Sequence, residues 1–347
     1  MENVDLRQLV VGSYDYTSLK SIDAFLKKQD LRLDNNVEYI TALVDSSDIA
    51  AVGAFDGKVL KCIAVDDKYK GMGLSNKIVS NLISEEYMRG NTELFVFTKP
   101  KNYKVFNDMG FYKIEEVKDK VILLENDPNG IKKYVQKLKD KRKDGKVISA
   151  IVLNCNPFTL GHKYLIEKAS LESDILHIFV VSEDKSAFPF EVRYSLVKEE
   201  TKHLKNVIIH KSGDYIISNA TFPTYFIKKK SEAVKIHTVL DLKIFGKYIA
   251  SSLGINRRFV GEETRDEVTK IYNDSMKKLL PEVGIEVIEV PRLRIKNEEV
   301  TASNVRKLLR KGSMAAVKEL VPKVTYNFLN SEQGKKIIKV MQNKSIN

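Results

Sequence analysis

The segment Thr159-Leu160-Gly161-His162 follows the apolar run Val147–Leu153 through Asn154-Cys155-Asn156-Pro157-Phe158, and it opens a helical pattern at Tyr164, Leu165, Lys168 and Ala169. A buried strand that passes through a short loop into a helix is suited to phosphate chemistry. The first helical N–H groups have no partner inside the helix and, with the helix dipole, attract phosphate oxygens. Gly161 carries no Cβ, which lets a ligand approach the backbone. His162 projects from the helix start and can donate a hydrogen bond to charge developing on phosphorus. A second stretch, Val300-Thr301-Ala302-Ser303-Asn304-Val305-Arg306, also starts a helix, and Ser303 is a candidate cap for the helix that carries Arg306. A third, Lys68-Tyr69-Lys70-Gly71-Met72-Gly73-Leu74, lies between strand-like Val59–Val65 and a helical stripe at Ile78, Val79, Leu82 and Ile83.

Six short apolar runs in the second part of the chain read as strands: Val147–Leu153, Ile175–Val181, Val207–His210, Ile236–Leu240, Arg258–Val260 and Ile285–Val290. Helical patterns lie between them near 162–172, 190–204, 242–253 and 265–280. This alternation predicts a mostly parallel sheet covered by helices, with ligands beyond the carboxyl ends of the strands. Those ends present Asp241 and Glu262-Glu263 as further candidates. The stretch 215–226 is apolar, with Ser218, Asn219, Thr221 and Thr224 interleaved and Pro223 breaking its regularity, which suits either a small pocket or a core-packing loop and helix. The turn cluster Asn126-Asp127-Pro128-Asn129-Gly130 marks a boundary. The expected division is a first domain over 1–127, a basic helical linker over 128–146 and a second domain over 147–347.

The 347 residues are 43% hydrophobic and 30% charged, enough apolar material for two cored domains. No apolar run reaches the roughly 18 residues that a membrane helix needs. Met1-Glu2-Asn3-Val4-Asp5 lacks the basic and apolar regions of a secretory signal. Cys62 and Cys155 cannot build a disulfide framework, so a cytoplasmic protein is expected. The five histidines are scattered and no ligand cluster for a metal is expected. Residues 1–130 carry 17 basic and 21 acidic side chains, a net of −4, leaving +16 of the total +12 in the remainder. An anionic partner for the second part fits that balance. No helix-turn-helix, zinc or RNP-type signature supports nucleic acid as that partner.

Thr159-Leu160-Gly161-His162 resembles the (His/Thr)-x-Gly-His signature of the nucleotidylyltransferase superfamily. Val300–Arg306 is similar to its second signature, an Ile-Ser-x-Thr-x-x-Arg-type segment. The resemblance implies a Rossmann-like α/β catalytic domain that holds ATP through Asn156, Pro157, Phe158, Thr159, Gly161, His162, Gly261, Glu262, Thr301, Ser303 and Arg306. His162, Lys185 and Arg306, with Mg²⁺, would stabilise the transition state. Thr159 stands where His is commoner; it can hydrogen-bond phosphate but brings no positive charge.

Four segments, Asn156–His162, Ile217–Phe226, Val260–Glu263 and Val268–Asn273, together resemble the [citrate (pro-3S)-lyase] ligase family, and the likeness extends over the whole chain. It implies that ATP adenylates acetate and that the acetyl group passes to the prosthetic thiol of the citrate lyase acyl carrier protein, with release of AMP and pyrophosphate. Ser218, Asn219, Thr221 and Phe222 would then meet acetate or the carrier's arm. Such chemistry needs no protein nucleophile, and Cys155 reads as a small buried residue. Two other activities remain open: an adenylyltransferase that joins AMP to a phosphorylated acceptor, of the pantetheine-phosphate type, and a non-catalytic interaction protein.

The Lys68–Leu74 loop resembles the Gln/Arg-x-x-Gly-x-Gly/Ala loop of GNAT acetyltransferases, with Lys68 in place of Gln or Arg. Leu94–Thr98 and Tyr103–Phe111 fit the later elements of that fold. The resemblance implies that Lys68, Lys70, Gly71 and Gly73 hold the phosphates of a CoA-like arm. The module shows no obvious general base; Asp66, Glu93 and Tyr103 are the residues left open for that role.

Overall fold

The computed structural model describes residues 6–12, 15–33, 36–46, 48–223 and 232–343. The chain divides into two compact units, Met1–Ile131 and Lys132–Asn347.

In the first unit seven strands form one sheet: β1 Leu6–Val11, β2 Tyr39–Asp45, β3 Asp48–Asp56, β4 Val59–Val65, β5 Phe95–Thr98, β6 Tyr112–Val117 and β7 Val121–Glu125. Their order is β1-β2-β3-β4-β5-β7-β6. Only β4 and β5 run parallel, and they pair at just two positions, Val59 with Phe95 and Leu60 with Val96. Past Leu60 the two strands are no longer joined. Helix α1 spans Tyr16–Lys28, α2 Leu74–Met88 and α3 Tyr103–Asp108. The stripe expected on α2 is its buried face, with Ile78, Val79 and Leu82 against the sheet. This is the mixed sheet expected of a GNAT-like module.

The second unit begins within helix α4, Gly130–Lys139. Its sheet comprises β8 Ile148–Leu153, β9 Ile175–Val180, β10 Val207–Lys211, β11 Arg257–Gly261 and β12 Glu286–Val290. The order is β10-β9-β8-β11-β12 and every pairing is parallel, as the sequence pattern predicts. Sequence neighbours β9 and β10 lie to one side of β8, and the later β11 and β12 to the other. The crevice between the carboxyl ends of β8 and β11 is therefore the topological switch point, where open α/β sheets bind ligands. Helices α5 Leu160–Leu171 and α6 Phe190–Thr201 bury Leu165, Ile166, Ala169, Leu196 and Val197 in a core shared with Ile151, Ile178 and Phe259. Beyond β12 comes a hairpin, β13 Arg294–Ile295 and β14 Glu298–Glu299. Its turn residues Lys296 and Asn297 both have positive φ, as a two-residue I′ turn demands. Four helices follow: Ala302–Arg310, Met314–Lys318, Lys323–Asn330 and Glu332–Asn343. Among the described residues no helix is long and apolar enough to cross a membrane.

One expected strand is absent. Ile236–Leu240 lies inside a helix, Glu232–Ile244, which continues through a π-helical turn at Phe245–Ala250. Its buried residues Val234, His237, Thr238, Asp241 and Ile244 recur at helical spacing. A short apolar run cannot by itself distinguish a buried strand from one face of a buried helix. Asp241 consequently does not sit at a strand end. Of the stretch 215–226, residues Thr224, Tyr225 and Phe226 lie outside the described residues, as do Met1–Asp5.

Candidate active site

The switch-point crevice is a cleft of about 230 Å³ lined by the ends of β8 and β11 and by both helix-opening segments, including Thr159, Gly161, His162, Gly261, Glu262, Arg292, Thr301 and Ala302. Six residues expected to bind nucleotide thus meet in one place: Thr159, Gly161, His162, Gly261, Glu262 and Thr301. Asn156, Pro157, Phe158, Ser303 and Arg306 are not among its lining residues.

The loop from β8 to α5 is self-organising. Thr159 is the N-cap of α5, its hydroxyl accepting from the His162 N–H at 3.4 Å. The Thr159 N–H in turn donates to His162 Nδ1 at 3.0 Å, and the Thr159 hydroxyl lies 3.0 Å from the same nitrogen. With Nδ1 accepting, the neutral ring carries its proton on Nε2. Burial is the main influence holding the imidazole down at about 4, with the Arg292 and Arg306 cations adding to it. His162 is therefore a neutral donor. Thr159, 1% exposed, orients this ring with the hydroxyl that was expected to face phosphate. Phe158 is fully buried and stacks on His162, ring centroids 5.7 Å apart. Cys155 is buried as expected, and desolvation pushes its thiol well up, away from nucleophilic use.

Gly161, which lines the cleft, also has a packing task. A Cβ there would fall 2.8 Å from the Val300 carbonyl oxygen. The missing side chain lets α5 pack directly against the backbone of the second signature segment. Arg306 ties the same two segments from the other side, donating through Nη1 to the Asn156 carbonyl and through Nη2 to Ser303 Oγ at 3.2 Å. The N-cap of helix Ala302–Arg310 is Thr301, which accepts from the Asn304 N–H at 3.1 Å. Ser303, the cap candidate, instead receives Arg306. The N-cap must be the residue just outside the first helical turn, and Ser303 lies two residues further in.

Lys185 lies beyond β9, exposed, donating to Asn219 Oδ1 at 3.3 Å; it is not among the cleft residues. The Asn219 N–H donates to Glu183 at 2.8 Å. The other candidate substrate residues are buried and committed to their own loop. Ser218 Oγ donates to the Asp214 carbonyl at 2.6 Å and accepts from the Ala220 and Thr221 N–H groups at 3.1 Å. Thr221 Oγ1 donates to Asp241 at 2.7 Å, and Phe222 stacks on Tyr272 at 5.4 Å. Asp241 is fully buried and also accepts from the Ile217 N–H and the Tyr272 hydroxyl, both at 2.7 Å. Desolvation raises its pKa, opposed by those hydrogen bonds. Its role is to pin the 217–221 loop, not to face the cleft.

Two arginines escaped the sequence reading. Arg193, fully buried on α6, donates to the carbonyls of Phe188, Asn154, Val181 and Glu183 and to Asn154 Oδ1 at 2.6–3.0 Å. It clamps the loops after β8 and β9 to one another. Its signal was a charged residue within the apolar stripe Val192, Leu196 and Val197, where a lone cation needs several acceptors. Arg292 enters the cleft just past β12 and pairs with Glu263 at 2.6 Å. The rule that ligands bind beyond strand ends, applied to Ile285–Val290 as well, would have found it.

In the first unit Gly71 and Gly73 have φ of +84° and +72°, and a Cβ at either would meet open space. Gly73 caps α2 without a side chain, leaving the first-turn N–H groups facing a cavity of about 530 Å³. Lys70, Gly71 and Gly73 line it with Ile63, Val65, Asn102 and Phe106, in the gap past the last β4–β5 pair. Lys68 lies outside the lining, its ammonium over the Tyr69 ring at 5.0 Å. Asp66 caps the turn Asp67–Tyr69 by accepting from the Lys68 N–H, Glu93 pairs loosely with Lys58 at 3.8 Å, and the Tyr103 hydroxyl donates to Asn107.

A parallel sheet with its switch-point cleft walled by a strand–loop–helix bearing a Gly-His pair and by a hydroxyl-capped helix bearing Arg306 defines a nucleotidylyltransferase-type α/β module. The C-terminal domain model of citrate lyase ligase matches residues 148–329. The chain is 39% identical over 318 residues to the "[Citrate [pro-3S]-lyase] ligase" of Escherichia coli (strain K12), covering 90% of each. It is 40% identical over 314 residues to that of Klebsiella pneumoniae, covering 89% of this chain and 92% of the relative. The chain belongs to the citrate lyase ligase family. Among solved structures, the ribosomal-protein-S18-alanine N-acetyltransferase from Escherichia coli covers 34% of this chain and 92% of its own, at 17% identity and a TM-score of 0.29; the fold assignment rests on the strand order and register above.

Proposed function

We propose that this protein is a cytoplasmic ATP-dependent acid–thiol ligase. It adenylates acetate in the β8–β11 cleft and transfers the acetyl group to the prosthetic thiol of the citrate lyase acyl carrier protein, thereby activating citrate lyase. The observation that carries this reading is the joining of the two signature segments across the cleft, with Gly161 packed on Val300 and Arg306 bonded to Asn156.

In this reading the triphosphate lies across the N-termini of α5 and of helix Ala302–Arg310, where N–H groups and helix dipoles favour anions. An acetate oxygen attacks the α-phosphorus and pyrophosphate leaves. The His162 Nε2–H donates to the oxygen that gains charge in the transition state, a preorganised neutral donor that needs no proton transfer. The carrier thiol then attacks the acetyl carbonyl, AMP departs and the thiol proton passes to solvent. Holding reactants in line contributes about 7–11 kcal/mol to such reactions. Lys185 and Asn219, bonded at 3.3 Å, are the pair we assign to the incoming substrate, and the buried Ser218, Thr221 and Phe222 to shaping their loop.

Mg²⁺ fits as a companion of ATP. Among the described residues no group of three His, Cys, Asp or Glu could hold a metal by itself. Mg²⁺ commonly uses one or two carboxylates plus substrate phosphates, and Glu262 supplies one carboxylate in the cleft. Bound there, the ion would neutralise phosphate charge.

The glycine loop of the first unit, with Lys70, Gly71 and Gly73 on its cavity and Lys68 beside it, we assign to the phosphates of the carrier's CoA-like arm. The overall test is acetate-dependent exchange of pyrophosphate into ATP, followed by formation of AMP and acetyl thioester with deacetylated carrier. Exchange that requires a phosphate monoester in place of acetate would favour the adenylyltransferase. Absence of ATP binding would favour a non-catalytic protein. For the arm, Lys70→Ala with Gly73→Val should raise KM for the carrier and leave a free thiol acceptor unaffected; equal effects on both acceptors would remove the assignment.

A further inference from the structure

We propose that Arg292 is a phosphate ligand of the cleft, holding the nucleotide's phosphates across from His162. The inference rests on the cleft being the ATP site. β12 delivers Val290, Pro291 and Arg292 beside the end of β11, so the guanidinium enters the switch point from the wall facing α5. The side chain is only 19% exposed, and a cation so enclosed requires compensation. The chain itself supplies one close carboxylate and one distant one. Nη2 donates to Glu263 Oε2 at 2.6 Å. Nε is buried without a hydrogen-bond partner among the described residues, the Glu299 carboxylate standing 3.9 Å away. A guanidinium has five N–H donors in a planar fork that matches phosphate or carboxylate.

Arg193 shows the contrast, since all three of its nitrogens are bonded to oxygens in the surrounding loops. Glu263 is itself immobilised by the Arg265 and Asp266 N–H groups at 2.9 and 3.0 Å. It therefore holds one edge of the Arg292 fork, and Nη1 has no hydrogen bond among the described residues. The charge reaches His162, whose protonation it opposes. An anion seated between them would accept from the Nε2–H of one and the fork of the other. Phosphate suits this place because its several oxygens can accept at once from the guanidinium, from His162 and from the openings of the two helices that border the same cleft, at Thr159 and at Thr301.

The test uses the full chain and inorganic pyrophosphate as probe, titrated by calorimetry, with acetate as a separate titrant. Arg292→Gln should weaken pyrophosphate binding at least tenfold with an unchanged melting temperature, whereas Glu263→Gln should weaken it less than threefold. If both variants weaken it equally, Arg292 merely braces the 263–266 loop and the proposal falls. It falls too if Arg292→Gln binds pyrophosphate normally and loses acetate instead. Should Arg292→Gln not fold, Arg292→Lys keeps the charge without the fork, and full retention of pyrophosphate affinity in it overturns the assignment. A wild-type chain that binds neither ATP nor pyrophosphate would instead refute the reading of the cleft, an outcome separate from failure of Arg292 alone.

Discussion

Protonation of His162 is a sharp probe of the cleft. The Thr159 N–H points at Nδ1 from 3.0 Å, so a proton added there sets two donors against each other and breaks the cap that aims the ring. Burial, then Arg292 and Arg306, hold the group at about 4 against an ordinary 6.5. That displacement corresponds to roughly 3 kcal/mol in favour of the neutral imidazole. At pH 7 about one ring in a thousand is charged, and at pH 5 about one in ten, where an unperturbed histidine would be almost wholly charged. The kcat/KM of acetate-dependent ATP–pyrophosphate exchange reports the free enzyme. Measured from pH 5 to 8, it should show no inflection near 6.5. His162→Ala should lower kcat by about 10²–10³ throughout, the usual effect of deleting one preorganised donor. A wild-type profile that drops tenfold between pH 7 and 5.5, with that drop missing from His162→Ala, would refute the neutral-donor mechanism.

Gly161→Ala places a methyl group 2.8 Å from the Val300 carbonyl oxygen; relief requires the two signature segments to part, at a cost of about 1–3 kcal/mol. Exchange activity should fall tenfold or more while ATP-independent properties such as far-UV circular dichroism persist. Arg193→Met leaves several loop carbonyls without their donor, each orphaned buried group costing about 1–3 kcal/mol, so urea denaturation should register a loss of roughly 3 kcal/mol or more. Three imidazoles contribute to the loss of stability in acid, His162 and His177 at about 4 and His210 at about 3, all depressed chiefly by burial. The unfolded chain binds more protons than the folded one below 6.5, so stability is complete above that value and declines as pH falls toward 4. His177 Nδ1 and His210 Nε2 lie 2.9 Å apart in the sheet; replacing both with Gln should flatten the dependence of the urea midpoint on pH between 7 and 4.5, and an unchanged slope would exclude the pair as its source.

Much of the site could be read locally. A buried strand, a loop and a helix opening on Gly-His follow from adjacent residues, because strand burial, capping and helix dipoles act within one or two turns of chain. The same holds for the glycine loop ahead of α2, whose positive φ angles only glycine adopts freely. The helix containing Asp241 is ambiguous for a related reason: the short stretch Ile236–Leu240 satisfies both periodicities, and only contacts such as Phe222 against His237 and Tyr272 with Asp241 choose between them.

What the sequence determined by itself is the order of the chemical parts and the alternation that makes their sheet parallel. Only the tertiary structure decided which atoms each part presents. Arg306 meets Asn156 across 150 residues of chain, Gly161 yields its side-chain space to Val300, Thr159 turns inward to fix an imidazole, and Arg292 is brought opposite by a strand paired to β11. Each of these depends on a long-range approach of backbone or charge, and hydrogen bonds and packing of that reach are set by the folded arrangement of strands rather than by neighbours in sequence.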